Sequence, residues 1–553
     1  MFISPDRARI RSAIVALTVS AIAFAGAVTL ARSTTAAAAA PLAAGVEDEG
    51  ADCAVNLPGT TTAGAKLPDP FKRLDGTRVT TRSDWRCRRE EIRKLSERYV
   101  YGTKPARPAG VTGTVSRTGI TVNVSDGGRS AGFSATVSVP GGTGPFPAVV
   151  VVGGLGADTA TILAAGVAVI NYDPLAVGKE GTARGNKQGA FYSVYGATSS
   201  TGLLAAWAWG VSRIIDVIEQ SGGTVLKADS LGVTGCSRYG KGAFAIGAFD
   251  QRIALTMPIE SGSGGVPAFR AIAGESGAQP LSSAYSEQPW LGDAFGPYTG
   301  NPAGLPVDQH ETVAMIAPRG LFIMENPRID WLAARSGSVS ALAGAEVYKA
   351  LGAGDNITYW SDVADGTHCA VRPEWRTPLQ QHLQKFLLRT GSAAGTFRIS
   401  SLKAGNLAEW RDWQTPVLTD TPPSSPPPSP SPSGASPSPS RPPSPSPSAS
   451  SSPPPTGACV AAFRTVNSWP GGFQGEVTVT AGASAISGWT AAWTLGGGQS
   501  ISQLWNGTLT VTGSAATVKN LSWNGALGAG ASTAFGFLGT GSPAASGLAC
   551  TSP

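Results

Sequence analysis

Residues 416–457 are proline and serine with little else. Such a stretch lacks the apolar side chains needed for a core and favours extended polyproline-type backbone. A chain of 553 residues interrupted in this way folds as separate units joined by a tether. The reading is an export signal over 1–40, a first domain over 41–415, a linker over 416–457 and a second domain over 458–553.

The N-terminal assignment rests on order. Arg7, Arg9 and Arg11 precede an apolar stretch from Ala13 to Leu30, and small residues from Thr34 to Ala44 follow. That is the layout of a secretory signal, although a retained membrane anchor begins the same way. Cutting near Ala40 removes four arginines and one aspartate, and the formal charge falls from +6 to +3. So small a charge gives no argument for nucleic acid or an anionic membrane. The mature protein is expected to be a secreted, extracellular monomer with no stable membrane association. Its six cysteines, Cys53, Cys87, Cys236, Cys369, Cys459 and Cys550, then imply disulfides. With no Cys-x-x-Cys and only three histidines, the chain offers no zinc site, and no metal or cofactor is expected.

Ahead of the tether, apolar runs alternate with helical patterns. Residues 146–152, 167–170, 253–259, 320–324 and 357–363 read as strands, and 201–219 and 374–388 as helices. Strand–helix alternation predicts an α/β fold with a mostly parallel sheet covered on both faces. Sites in such sheets lie at the carboxyl ends of strands. Ser237, Glu260, Asp330 and His368 all follow predicted strand ends.

Ser237 sits in Gly235-Cys236-Ser237-Arg238-Tyr239-Gly240-Lys241, between an apolar run and a stretch able to start a helix. Strand, tight turn and helix form the layout of a nucleophile elbow, with the second glycine one place late. A serine needs a base. His382 lies within the predicted helix 374–388 as a packing or surface residue, and His310 caps or braces a helix start. His368 comes late in the chain, in a loop after a strand, which is where serine hydrolases of this layout carry their histidine. Glu260 and Asp330 both stand where an acid for that histidine is needed, and residue physics alone leaves the choice open. Cys236 precedes Ser237 and Cys369 follows His368. A bond between them would tie nucleophile loop to base loop.

These residues resemble the glucuronoyl esterases, carbohydrate esterase family fifteen. The match lies in Gly-Cys-Ser-Arg-x-Gly-Lys at 235–241, Glu260-Ser261-Gly262, Asp330-Trp331-Leu332 and Thr367-His368-Cys369. The resemblance implies an α/β-hydrolase three-layer sandwich. It implies hydrolysis of esters between 4-O-methyl-glucuronic acid of glucuronoxylan and lignin alcohols. Ser237 would be the nucleophile, His368 the base and Glu260 the acid. Arg238 would bind the oxyanion, and Lys241, Gln279, Glu287 and Trp331 would hold the sugar. Cys53 pairs with Cys87 by elimination and by analogy with the family.

Residues 458–553 carry short alternating runs with Gly, Ser and Asn turns, an all-β sandwich pattern. Five tryptophans occur there. The stretch resembles the family-two carbohydrate-binding modules, with Cys459–Cys550 as the terminal disulfide. Trp469, Trp505 and Trp523 match the surface rings of the cellulose-binding type, whereas Trp489 and Trp493 belong to the core. An acetyl-xylan or feruloyl-type esterase, or a catalytically silent carbohydrate-binding protein, are the competing functions. An acetyl group would leave Lys241, Gln279 and Glu287 nothing to hold.

Overall fold

The run Phe146–Val152 serves two cores at once. Ala148, Val150 and Val152 pack into one apolar cluster, and Val149 and Val151 into another. Every residue of the run is buried. A strand covered on both faces is apolar throughout rather than alternating, which explains how this one stood out in the sequence.

The computed structural model describes residues 46–61, 63–392, 395–419, 458–469, 471–521 and 524–552. The export signal over 1–40 and most of the 416–457 linker lie outside the described residues. Those up to 419 belong to one compact unit and those from 458 to another. Leu418 is buried, and Thr419 bridges to Thr81, so these residues pack with the first unit.

The first unit contains a ten-stranded sheet. Its strands are β1 Gly110–Val115, β2 Gly119–Asp126, β3 Arg129–Ser138, β4 Phe146–Val152, β5 Ala168–Tyr172, β6 Leu226–Cys236, β7 Ile253–Ile259, β8 Gly320–Met324, β9 Ile357–Trp360 and β10 Phe397–Arg398. The spatial order is β1-β2-β3-β5-β4-β6-β7-β8-β9-β10. Pairing from β1 to β5 through β3 is antiparallel, and from β5 onward it is parallel. The chain doubles back across β4 and resumes at β6. The crevice outside the carboxyl ends of these central strands is therefore the natural place for a ligand.

Helices Leu203–Gln220 and Arg238–Phe249 pack on one face, within the cluster that holds Val150. Leu379, Leu383 and Leu387 cover the other, beside Val149 and Val151. This is the three-layer α/β arrangement expected. One element ends earlier than predicted, and one changes geometry along its length. β9 stops at Trp360, where Ser361 turns its N–H to the Arg398 carbonyl. The last helix keeps α geometry over Pro373–His382 and widens over Leu383–Leu388. The strands β1–β3 escaped the sequence reading. Their half-buried alternation is built on Thr, Ser, Gly and Asn, which dilutes the apolar signal.

The second unit is all β. One sheet has β11 Cys459–Trp469, β12 Gly472–Ala481, β17 Ser532–Thr540 and β14 Ile501–Trp505 in that order. The other has β15 Thr508–Thr512, β16 Ala515–Lys519, β13 Thr490–Thr494 and β18 Ser546–Thr551. Trp489 and Trp493 are buried and stack on Phe535, as expected of core rings. Cys459 and Cys550 are bonded. The side chains of Trp469 and Trp505, and all of Trp523, lie outside the described residues.

Candidate active site

Ser237 has φ 60° and ψ −126°, a backbone conformation that L residues rarely hold. It is the joint between β6 and helix Arg238–Phe249. Its N–H donates to the Ile259 carbonyl at 3.0 Å. Two glycines permit this geometry. A Cβ at Gly235 would collide with the Tyr239 carbonyl oxygen, and one at Gly240 with the Ile259 carbonyl oxygen. The second glycine is thus placed by the approach of the helix to the neighbouring strand β7, three residues after the serine.

Glu260 follows β7 and is fully buried. Its Oε2 lies 2.6 Å from His368 Nδ1 and accepts the Cys369 N–H at 2.8 Å. Its Oε1 accepts from Asn326 Nδ2 at 3.4 Å, with the Arg372 guanidinium 3.7 Å away. A carboxylate on Nδ1 places the neutral ring's proton there and leaves Nε2 free to accept one. Asp330, the other candidate acid, is 65% exposed at its side chain and pairs with Lys403.

The bond between Cys236 and Cys369 is present, with Cα atoms 5.8 Å apart. It joins the residue before Ser237 to the residue after His368. Cys53 and Cys87 are also paired. Among the described residues, Cys236, Glu260, His368 and Cys369 bring potential metal donors together, but both sulfurs are consumed by the disulfide. The remaining two donors bond each other, so nothing there is built to hold an ion.

Ser237 and His368 line a cleft of about 320 Å³ with Arg238, Lys241, Gln279, Glu287, Trp290 and Trp331. The structure therefore gathers the residues singled out in the sequence. Gln279 Nε2 donates to Glu287 Oε2 at 2.9 Å. Trp331 is 53% exposed, and its ring stands edge-on to His368 at 6.1 Å. Lys241 is buried, and its ammonium donates to the Ser261 carbonyl. Burial pulls its pKa down to about 8, against the opposing pull of Glu287.

Glu180 was not foreseen. Its Oε2 accepts from the Arg238 guanidinium at 3.0 Å and its Oε1 from Trp290 Nε1 at 2.6 Å. It comes from a loop 58 positions before Arg238, so no local spacing betrays it. Glu325, directly after β8, was also missed. Burial raises its pKa well above the usual carboxylate range, with the Glu260 charge adding to the effect. It accepts from Ser261 Oγ at 3.4 Å and so backs the turn that follows Glu260.

The other two histidines are elsewhere. His310 Nε2 contacts the Pro68 carbonyl at 2.8 Å, and His382 Nδ1 the Pro378 carbonyl at 2.6 Å. Both are buried.

Comparison with known proteins gives a consistent picture. Residues 122–352 match the family model described as glucuronyl esterase, fungi, and 459–551 match a cellulose binding domain. The chain is 40% identical over 377 residues to a 4-O-methyl-glucuronoyl methylesterase of Hypocrea jecorina, covering 67% of this chain and 80% of that protein. It is 39% identical to the enzyme of that name from Neurospora crassa, covering 69% and 96%. A serine-to-alanine mutant of the Sporotrichum thermophile glucuronoyl esterase, solved in complex with methyl 4-O-methyl-β-D-glucopyranuronate, is similar with a TM-score of 0.62 and 38% identity. That likeness covers 66% of this chain and all of the other.

Proposed function

This chain belongs to the glucuronoyl esterase family, and we propose on that basis that it is a secreted serine esterase. It hydrolyses the ester between 4-O-methyl-glucuronic acid of glucuronoxylan and lignin alcohols. The observation that carries the reading is the Glu260–His368 hydrogen bond facing a cleft shared by Ser237 and Lys241.

In this mechanism Ser237 Oγ attacks the ester carbonyl while His368 Nε2 takes its proton. Glu260 holds the ring tautomer and stabilises the imidazolium that forms. The developing oxyanion is met by the permanent charge of Arg238, aimed by Glu180. His368 then returns the proton to the departing alcohol. Water, deprotonated by the same histidine, then attacks the acyl carbon, and His368 hands that proton to Ser237 Oγ as the ester bond to the serine breaks and the uronate leaves. Lys241, Gln279, Glu287 and Trp331 hold the sugar: the first three through its hydroxyls, the tryptophan through a ring face or its indole N–H.

The second unit binds cellulose and keeps the esterase at the wall. Loss of binding to microcrystalline cellulose on Trp505→Ala is the expected result, and unchanged binding would argue against the ring-face model. The esterase reading is tested by Ser237→Ala on benzyl glucuronate. Activity is expected to vanish to background, and an active variant would sink the serine mechanism. Preference for acetylated xylan over methyl glucuronate would favour the acetyl esterase instead.

A further inference from the structure

The polar groups of the cleft serve the acyl half of the ester. Two loops tied to Cys236, one by a main-chain hydrogen bond and one by the disulfide, have a different character. Among the described residues of the first unit few large apolar side chains stand in solvent, yet Leu155 and Val371, on these loops, are 48% and 61% exposed.

Their backbone positions are fixed against the nucleophile. Leu155 follows β4, and its carbonyl accepts the Cys236 N–H at 2.9 Å. Leu155 therefore lies beside the residue that precedes Ser237. Val371 comes two residues after Cys369, which is bonded to Cys236. Ala370 and Val371 share a small cavity wall with Gly156 and Ala157, so the two loops meet. Neither Leu155 nor Val371 lines the cleft of Lys241, Gln279 and Glu287.

We propose that Leu155 and Val371 form the contact surface for the alcohol half of the ester and favour an arylalkyl alcohol over a small or polar one. The proposal rests on the esterase reading above. With the carbonyl carbon at Ser237 Oγ, the sugar hydroxyls turn toward the hydrogen-bonding side, since leaving them unpaired costs free energy. The substituent on the ester oxygen then extends the other way, across the Cys236–Cys369 bridge. The isobutyl and isopropyl groups waiting there offer no donor or acceptor. They select by apolar area alone. Their exposure makes the surface an open shelf, which tolerates alcohols of different size and discriminates modestly, by roughly 3–10-fold.

The test uses the full chain and the methyl and benzyl esters of 4-O-methyl-glucuronate, each rate divided by that ester's alkaline hydrolysis rate. Wild type is expected to favour the benzyl ester. In Leu155→Ser with Val371→Ser, the benzyl-to-methyl ratio of kcat/KM is expected to fall about 3–10-fold. Leu155→Met with Val371→Ile, which keeps the apolar area, is expected to hold the ratio. A ratio unchanged in the serine variant, or an equal fall in the isoleucine–methionine variant, overturns the proposal. A wild type inert toward both esters overturns the esterase reading, and this proposal with it.

Discussion

Asp330 Oδ1 lies 2.9 Å from Lys403 Nζ. The aspartate is thereby tied to a segment 73 residues further along the chain, while Glu260 takes the ring of His368. Glu260→Gln is expected to lower kcat by roughly 10²–10⁴, because the amide can present its N–H and favour the wrong tautomer. Asp330→Asn is expected to change kcat less than about twofold, its carboxylate being largely exposed and not in contact with His368. Parallel rates on a glucuronate ester check both, and a larger loss for Asp330→Asn would reverse the assignment of the acid.

The Cys236–Cys369 bond spans 133 residues of chain. Its replacement by two alanines is expected to cost about 2–4 kcal/mol of stability, measured by denaturant unfolding. A fall in kcat beyond the unfolded fraction is also expected, since the bond holds the base loop to the nucleophile loop.

Glu180→Ala removes the acceptor for both Arg238 and Trp290. We expect kcat to fall by about tenfold, as for a weakened oxyanion contact, with KM less affected. Glu180→Gln, which keeps an acceptor oxygen, should recover part of the loss. A variant as fast as wild type would show that Arg238 needs no such brace.

Lys241 carries a pKa lowered by burial to about 8. Its ammonium is present below that value and lost above it. With spontaneous hydrolysis subtracted, kcat/KM for a glucuronate ester is expected to decline above pH 8, mainly through KM. Lys241→Met should be weak at all pH values and lack this limb. The same shift implies that the cost of burying the charge eases between pH 8 and the ordinary lysine value.

His382 is held down to about 4 by burial, where an ordinary histidine has 6.5. Between those values the unfolded chain binds a proton that the folded chain refuses. Stability therefore falls as pH drops from 6.5 to 4, by on the order of 3 kcal/mol from this group. The ring stacks on Phe322 at 4.7 Å. His382→Phe preserves that packing and should make the acid limb of unfolding free energy against pH shallower, leaving the share of His310, which burial also holds down to about 4.

Sequence legibility followed the range of the interactions. The serine turn carries its own geometry in Gly235 and Gly240, so it was visible within seven residues. His368 was found by chain order and by its cysteine neighbour. Glu260 against Asp330 was beyond residue physics, because both follow strands and only the tertiary partner differs. Glu180 and Glu325 were invisible for the same reason: each acts on a residue far along the chain. The strands β1–β3 were missed because their apolar positions alternate with small polar ones, whereas the doubly covered strands were plain.

The Ile259 carbonyl receives the Ser237 N–H and abuts Gly240, and the next residue is Glu260. One peptide group is thus the common datum from which nucleophile and acid are both measured. Because that alignment runs through main chain alone, side chains around the rim are free to diverge between relatives. Such changes alter which esters are accepted without putting the reacting groups out of true.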